Sequence, residues 1–378
     1  KNYIFIFNFF YIFILTLTIN VTKSYLPPLE EYIREISILW DNHYLTNYGE
    51  LNKKLVTNIK KYLKIENLHY VTNGTTALQL AINALDIKSG EIITTPFTFI
   101  ATITSILWQN CTPIFVDINR NDFNIDVTKI ENKITPNTKA ILAVHCFGFP
   151  CDVIGIEKIA RKYNLKVIYD AAHSFGTMLN NESILSYGDI SCCSFHATKV
   201  FHTVEGGLCV VNDKKVNNKL NSIKNFGIKD SKFEYVGVNA KNSEFHAAMG
   251  ICVLRHIDEI IKIRKNKSEL YKRKLSKKVY IPSLPCDFKY NYIYFPIVLQ
   301  SEKILLAVLN ALNLKNIFPK RYFYPCASHA SYIINTNDIP IAEEISKKII
   351  CLPLDTYISD TTILDICNII NDIVEKNL

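Results

Sequence analysis

No two cysteines of this chain are spaced as Cys-x-x-Cys, although it holds 11 of them. Several, including Cys192, Cys193 and Cys209, stand inside apolar strand-like runs, where a free thiol serves as a small hydrophobe. A disulfide framework or a zinc site is therefore disfavoured, no metal is expected, and a reducing cytoplasm is the compartment that fits. The sequence also lacks an internal repeat and a Pro/Gly/Ser-rich linker, which leaves any domain boundary soft. It carries no nucleic-acid-recognition motif. The formal net charge is +8, but the lysines are scattered, and the densest cluster, "IRKNKSELYKRKLSKK" at 263–278, has helical spacing with Glu269 among its charges. It reads as a solvated helix face, no nucleic-acid partner is expected, and the mild positive balance suits a phosphate-bearing small molecule.

Residues 1–20, "KNYIFIFNFFYIFILTLTIN", differ from all that follows in being aromatic and isoleucine-rich. No A-x-A-like cleavage site comes after them, Asn8 interrupts the apolar run, and the run is short for a membrane span. A membrane or secretory leader, a translated upstream region and an amphipathic extension all stay open. No membrane partner is expected unless the leader is real, and the segment is set aside from fold reasoning.

What is present is a large core. At 378 residues, 48% apolar and 21% charged, the chain is globular and long enough for a large and a small domain. Short apolar runs, "EIITT" (91–95), "PIFVD" (113–117), "AILAV" (140–144), "KVIYD" (166–170), "ISCCSF" (190–195) and "GLCVV" (207–211), alternate with helical patterns at about 76–85, 99–109 and 155–164. Such alternation describes an α/β fold whose largely parallel sheet is buried on both faces. A large domain over 21–250 and a smaller C-terminal α/β domain over 251–378 are expected, with "YNYIYFPIVL" (290–299) strand-like and one long helix joining the domains across about 245–265.

In open parallel sheets, ligands sit beyond the carboxyl ends of strands, so residues just after each strand are the candidates. In "NGTTALQLA" (73–81), Asn73 can cap a helix, Gly74 lets the backbone approach an anion, and Thr75 adds donors, which is how a helix N-terminus receives a phosphate. Alone, the motif is equally a capped helix. Asp170, ending a strand in "YDAAHSFG", is costly to bury unless paired, and His173 beside it is either a core histidine or a site residue. In "SFHATKVFHTVEGG" (194–207), Ser194 and Lys199 follow another strand. Lys199 can bind phosphate or condense with an aldehyde. Phosphate site, acid and lysine on successive strand ends together specify pyridoxal phosphate, with Asp170 pairing the protonated ring nitrogen. In "TPFTFIAT" (95–102) an aromatic can stack on the cofactor or pack in the core.

The chain resembles the DegT/DnrJ/EryC1/StrS family of pyridoxal-phosphate-dependent sugar aminotransferases, from "VTKSYLPPLEEY" (21–32) to "CLPLDTYISD" (351–360). The motifs "NGTTAL", "TPFTFIAT", "PIFVDI", "DAAHSFG", "SFHATKVFHTVEGG", "NAKNSEFHAA" and "RYFYP" occur in the family's order. The resemblance implies the fold-type I architecture of such enzymes, a seven-stranded, mostly parallel sheet in a large domain plus a smaller C-terminal α/β domain. It makes Lys199 the lysine joined to the cofactor aldehyde and Asp170 the partner of the ring nitrogen. His173 falls near the pyridine face and the 3′-oxygen, Gly74, Thr75 and Ser194 hold the phosphate, and Phe99 stacks on the ring. Relatives that remove a sugar hydroxyl have histidine in place of this lysine, so Lys199 implies transamination.

The resemblance further implies a homodimer with shared active sites, in which Lys241 of "NAKNSEFHAA" (239–248) reaches the neighbour's phosphate; an ordinary surface lysine is the alternative there. The donor it implies is L-glutamate, and the acceptor a nucleotide-linked 4-keto-6-deoxyhexose, with the motifs most like those of members that make 4-amino-4,6-dideoxyglucose. Amination at C3, a lyase or racemase on the same scaffold, and a non-catalytic cofactor-binding regulator are the rival readings.

Overall fold

A computed structural model describes residues 18–282, 288–333 and 338–376. The first long helix, α1 (Glu50–Leu63), carries Leu51, Leu55, Ile59 and Leu63 at four-residue spacing, so a single stripe is buried. After it come β1 (Leu68–Val71), β2 (Gly90–Thr94), β3 (Cys111–Phe115), β4 (Thr138–Val144), β5 (Lys166–Asp170), β6 (Ile190–Ser194) and β7 (Gly207–Val211). These seven strands form one sheet in the order β1-β7-β6-β5-β4-β2-β3. Only β7 runs against its neighbours; the other pairings are parallel.

Each strand feeds two cores, because successive side chains point to opposite faces. Ile93, Ile141, Ala143 and Tyr169 join the cluster that holds Leu55 and Ile59 of α1. Their neighbours Ile92, Ala140, Leu142 and Ile168 join a second cluster with Leu78 and Ile82 of α2 (Gly74–Ala84). Burial on both faces is why these strands read as continuous apolar runs. The crossovers include α2, α3 (Ile100–Trp108) and α4 (Val153–Tyr163), and α5 (Lys214–Ile223) follows β7. In the C-terminal part, β8 (Phe295–Val298) pairs antiparallel with β9 (Ile349–Leu352) under α8 (Glu302–Asn313) and α9 (Asp360–Lys376), with a third core of Ile297, Leu305, Ile350 and Ile366.

Four local expectations change. The long joining helix is two helices, α6 (Glu244–Arg255) and α7 (Ile257–Lys274), broken at His256, whose φ of −104° and ψ of 1° leave the helical region. Glu31 holds that joint, bonded to His256 Nε2 at 3.0 Å and to Arg255 at 3.3 Å. The basic cluster on α7 is solvated at Lys265, Lys272 and Lys274 but not at Arg264, which is 4% exposed and donates from Nε to the Tyr292 carbonyl at 2.8 Å. That tether keeps 290–294 out of regular strand, so "YNYIYFPIVL" pairs only over its second half. Finally, the described fold begins inside the segment set aside: Ile19 and Asn20 pair in parallel with Ile317 and Phe318. Among the described residues no helix is long and apolar enough to cross a membrane, no cluster could hold a metal ion, and the 10 described cysteines are buried outside any disulfide.

Candidate active site

A cavity of about 450 Å³ opens beyond the carboxyl ends of β5 and β6, and Gly74, Thr75, Phe99, Asp170, His173, Ser194 and Lys199 all line it. Larger clefts of about 570 and 720 Å³ lie elsewhere, but neither sets a buried carboxylate beside a lysine. Chemistry, not volume, singles out the smaller one.

Its anion-binding end is built by α2. Asn73 is extended and accepts the Thr76 amide on Oδ1 at 2.8 Å, which caps the helix. The amides of Gly74 and Thr75, in the first turn, have no intrahelical acceptor and remain for an anion, where the helix dipole favours negative charge. A Cβ on Gly74 would lie 3.0 Å from the Ser194 Cβ, so glycine lets the end of β6 bring its hydroxyl to the same place. A Cβ on Gly207 would meet the Asn73 carbonyl at 2.4 Å. The last glycine of "SFHATKVFHTVEGG" thus serves close packing of β7 against this turn.

Asp170 ends β5 and is 6% exposed. Thr102 Oγ1 donates to Oδ2 at 2.7 Å and the Ala172 amide to Oδ1 at 3.1 Å. Burial raises its carboxyl pKa, while those two bonds and the Lys199 charge favour the anion. Lys199 sits on the turn after β6, half-buried at the cavity wall. Enclosure by protein lowers its pKa to about 8, and Asp170 opposes that shift. Burial, reinforced by the Lys199 charge, keeps His173 well below the usual histidine range, so its imidazole is neutral. Its ring is wedged edge-on to Tyr294, 5.1 Å between centroids, and its backbone carbonyl is held by Asn291 Nδ2 at 2.7 Å. Phe99 is 60% exposed at the start of α3, an apolar ring offered to the cavity.

Lys241 is not on this wall. Its ammonium lies 4.2 Å from the Phe226 ring centroid and 3.3 Å from Asn225 Oδ1, and desolvation lowers its pKa. Other wall residues escaped the sequence reading. Tyr294 and Tyr322 come from the C-terminal part through segments that sequence shows only as strand-like or aromatic, and Thr102, buried behind Asp170 and bonded to it, closes the quoted "TPFTFIAT" but reads there as a helix residue. His196 and Glu205 stand 3.7 Å apart at the mouth, inside the lysine motif itself.

Residues 29–371 match the pattern of the DegT/DnrJ/EryC1/StrS aminotransferase family. The chain is 42% identical over 363 residues to a dTDP-4-amino-4,6-dideoxy-D-glucose transaminase of Shigella dysenteriae, covering 94% of this chain and 99% of the relative. It is 36% identical to one of Escherichia coli, covering 93% and 98%. A crystal structure of DesI in the presence of its TDP-sugar product superposes with a TM-score of 0.88 at 25% identity, covering 94% of this chain and 92% of that one.

Proposed function

The chain belongs to the DegT/DnrJ/EryC1/StrS aminotransferase family, and from that membership we propose that it is a pyridoxal-phosphate enzyme moving the amino group of L-glutamate to C4 of a nucleotide-linked 4-keto-6-deoxyhexose, giving dTDP- or UDP-4-amino-4,6-dideoxyglucose. The observation that carries the reading is the meeting, on one cavity wall, of an amine lowered to about 8, a buried carboxylate and an open helix N-terminus. The two transaminase relatives and the TDP-sugar complex of DesI support the sugar substrate. The aromatic rings of Tyr294 and Tyr322 on the same wall suit a hexose or a base.

The residues present fit the cofactor: a cavity of about 450 Å³ is of cofactor size, and its two ends carry complementary groups. Pyridoxal phosphate, when bound, supplies an electrophilic aldehyde and a ring that withdraws electrons from the donor's α-carbon. The amides of Gly74 and Thr75 and the hydroxyl of Ser194 would receive its phosphate, and Phe99 would cover a ring face. Asp170 would accept from the ring nitrogen and hold a proton there. Neutral His173 would lie by the ring without adding charge. Lys199 Nζ would take the proton from the donor's α-carbon and, as an ammonium, return one when the sugar is aminated. Two copies of the chain would share the sites, with Lys241 reaching the partner's phosphate; exposed Phe226, Val236 and Val238 around that lysine offer apolar surface for such pairing. The buried thiols keep the cytoplasm as the proposed compartment.

Incubation with L-glutamate and dTDP-4-keto-6-deoxyglucose tests the assignment. NMR should place the new amine at C4. Preferential turnover of the 3-keto isomer of the sugar nucleotide, or equal turnover with pyruvate in place of the sugar, would overturn it. With glutamate alone the bound cofactor should convert one for one to its amine form, which a lyase, a racemase or a silent regulator would not achieve.

A further inference from the structure

Behind Asp170 lies a chain of hydroxyls that the reaction scheme does not use. Thr102 Oγ1 donates to Asp170 Oδ2 at 2.7 Å, and Thr98 Oγ1 lies 2.8 Å from Thr102 Oγ1. Both threonines are buried, Thr102 at 0% and Thr98 at 3% exposure. A hydroxyl has a single proton to give, so when Thr102 donates to the carboxylate, Thr98 must be the donor to Thr102. All protons then point toward Asp170. The reverse order would require Asp170 to carry a proton and give it to Thr102.

We propose that Thr102, supported by Thr98, is a positioning residue that holds Asp170 as an anion with lone pairs left over for a ligand in the cavity. A carboxylate accepts at about four lone-pair sites; Thr102 and the Ala172 amide occupy two of them. The proposal rests on the reading that Asp170 serves the ring nitrogen of pyridoxal phosphate.

The surroundings of Asp170 give the hydroxyl chain its weight. Among the described residues, Lys199 is the cation whose charge acts on Asp170, from the turn after β6. His173, on its own loop, is kept neutral, and the thiols of Cys146 after β4 and of Cys192 and Cys193 on β6 are pushed up by burial and stay protonated. If Lys199 condenses with an aldehyde, its free ammonium is lost as a partner, and the anion is left to the Thr102 and Ala172 donors and to the ring nitrogen.

Two arms test this in the full-length chain with Thr102→Val, Thr102→Ser and Thr98→Val. The first uses apoprotein. Burial raises the folded-state pKa of Asp170, so ionisation costs stability as pH rises, and losing the Thr102 donor raises that pKa further. The deficit in Tm of Thr102→Val against wild type should therefore widen as pH rises above the ordinary carboxylate range. A deficit equal at every pH overturns the proposal. The second arm uses cofactor-loaded protein: Thr102→Val should shift the pH at which the bound chromophore changes absorbance and lower kcat for the glutamate half-reaction roughly 10-fold to 100-fold, with KM for glutamate little changed. Thr102→Ser should restore both, and failure to do so overturns the proposal. Should Thr102→Val fail to fold, Thr98→Val decides, with a smaller shift in the same direction expected and no shift overturning it. A wild-type protein that takes no pyridoxal phosphate removes the functional reading, while the apoprotein arm still judges Thr102.

Discussion

A lysine lowered to about 8 is neutral in roughly a tenth of molecules at pH 7, against well under a thousandth for an ordinary lysine. Capture of pyridoxal phosphate by apoprotein needs the neutral amine, so its rate should climb as pH rises through about 8 and level off above. Borohydride should then fix the cofactor to Lys199, and Lys199→Ala should lose both the adduct and transamination. A pH-independent capture rate, or fixation on another lysine, would remove Lys199 from the role. Asp170→Asn should still bind cofactor but react roughly 10-fold to 100-fold more slowly, because a neutral amide forfeits a charge-assisted bond; stopped-flow absorbance with glutamate measures it, and near-normal rates would exclude Asp170. Both residues were legible because a lone amine and a strand-ending acid are expensive to place without purpose. Thr102 was not, since a threonine near a helix start has cheaper explanations, and only the 2.7 Å bond to Asp170 reveals its use.

Strands and crossover helices were legible for a different reason: burial on both faces writes a run of apolar residues that needs no tertiary information. What sequence could not carry were contacts between distant segments. The break at His256 depends on Glu31, and the irregular 290–294 stretch depends on Arg264 and Asn291, which tie it to α7 and to the His173 carbonyl. Tyr294 reaches the cavity only because that stretch leaves the ladder. Packing of one element on another also sets the anion site. Alanine at Gly207 would drive its Cβ toward the Asn73 carbonyl, 2.4 Å away, and backbone there cannot swing aside as a side chain would. The turn bearing Gly74 and Thr75 must move instead. Gly207→Ala should therefore weaken pyridoxal phosphate binding by about 1–3 kcal/mol, the scale of an overpacking strain. Equilibrium dialysis checks it, and unchanged affinity would show that the turn tolerates displacement.

At the scale of the molecule, the N-terminal segment ties the C-terminal part to the loop that carries the lysine. Ile19 donates to the Asn316 carbonyl at 2.9 Å, Leu354 donates to the Val21 carbonyl at 3.0 Å, and the Lys23 amide bonds Asp355 Oδ2 at 2.9 Å. A few residues on, the Tyr25 carbonyl accepts from His202 Nε2 at 2.7 Å, and His202 Nδ1 takes the Val204 amide at 3.2 Å. Those two bonds fix the His202 tautomer and with it the stretch just after Lys199. Setting residues 1–20 aside at the sequence level cut through this strap, because two residues of parallel pairing leave no periodic trace. Shortened chains separate its two functions. A chain starting at Val21 should melt below one starting at Thr18, having lost the Ile19–Asn20 pairing at about 1 kcal/mol per hydrogen bond, yet should bind cofactor as tightly. A chain starting at Pro27 loses the Tyr25 carbonyl as well, leaving His202, at 1% exposure, without an acceptor for its ring N–H. That chain should melt lower still and also hold pyridoxal phosphate more weakly, since the loop behind Lys199 is no longer pinned. Equal melting of the Thr18 and Val21 chains would deny the pairing any weight, and full cofactor affinity in the Pro27 chain would show that the lysine loop holds its shape without the strap.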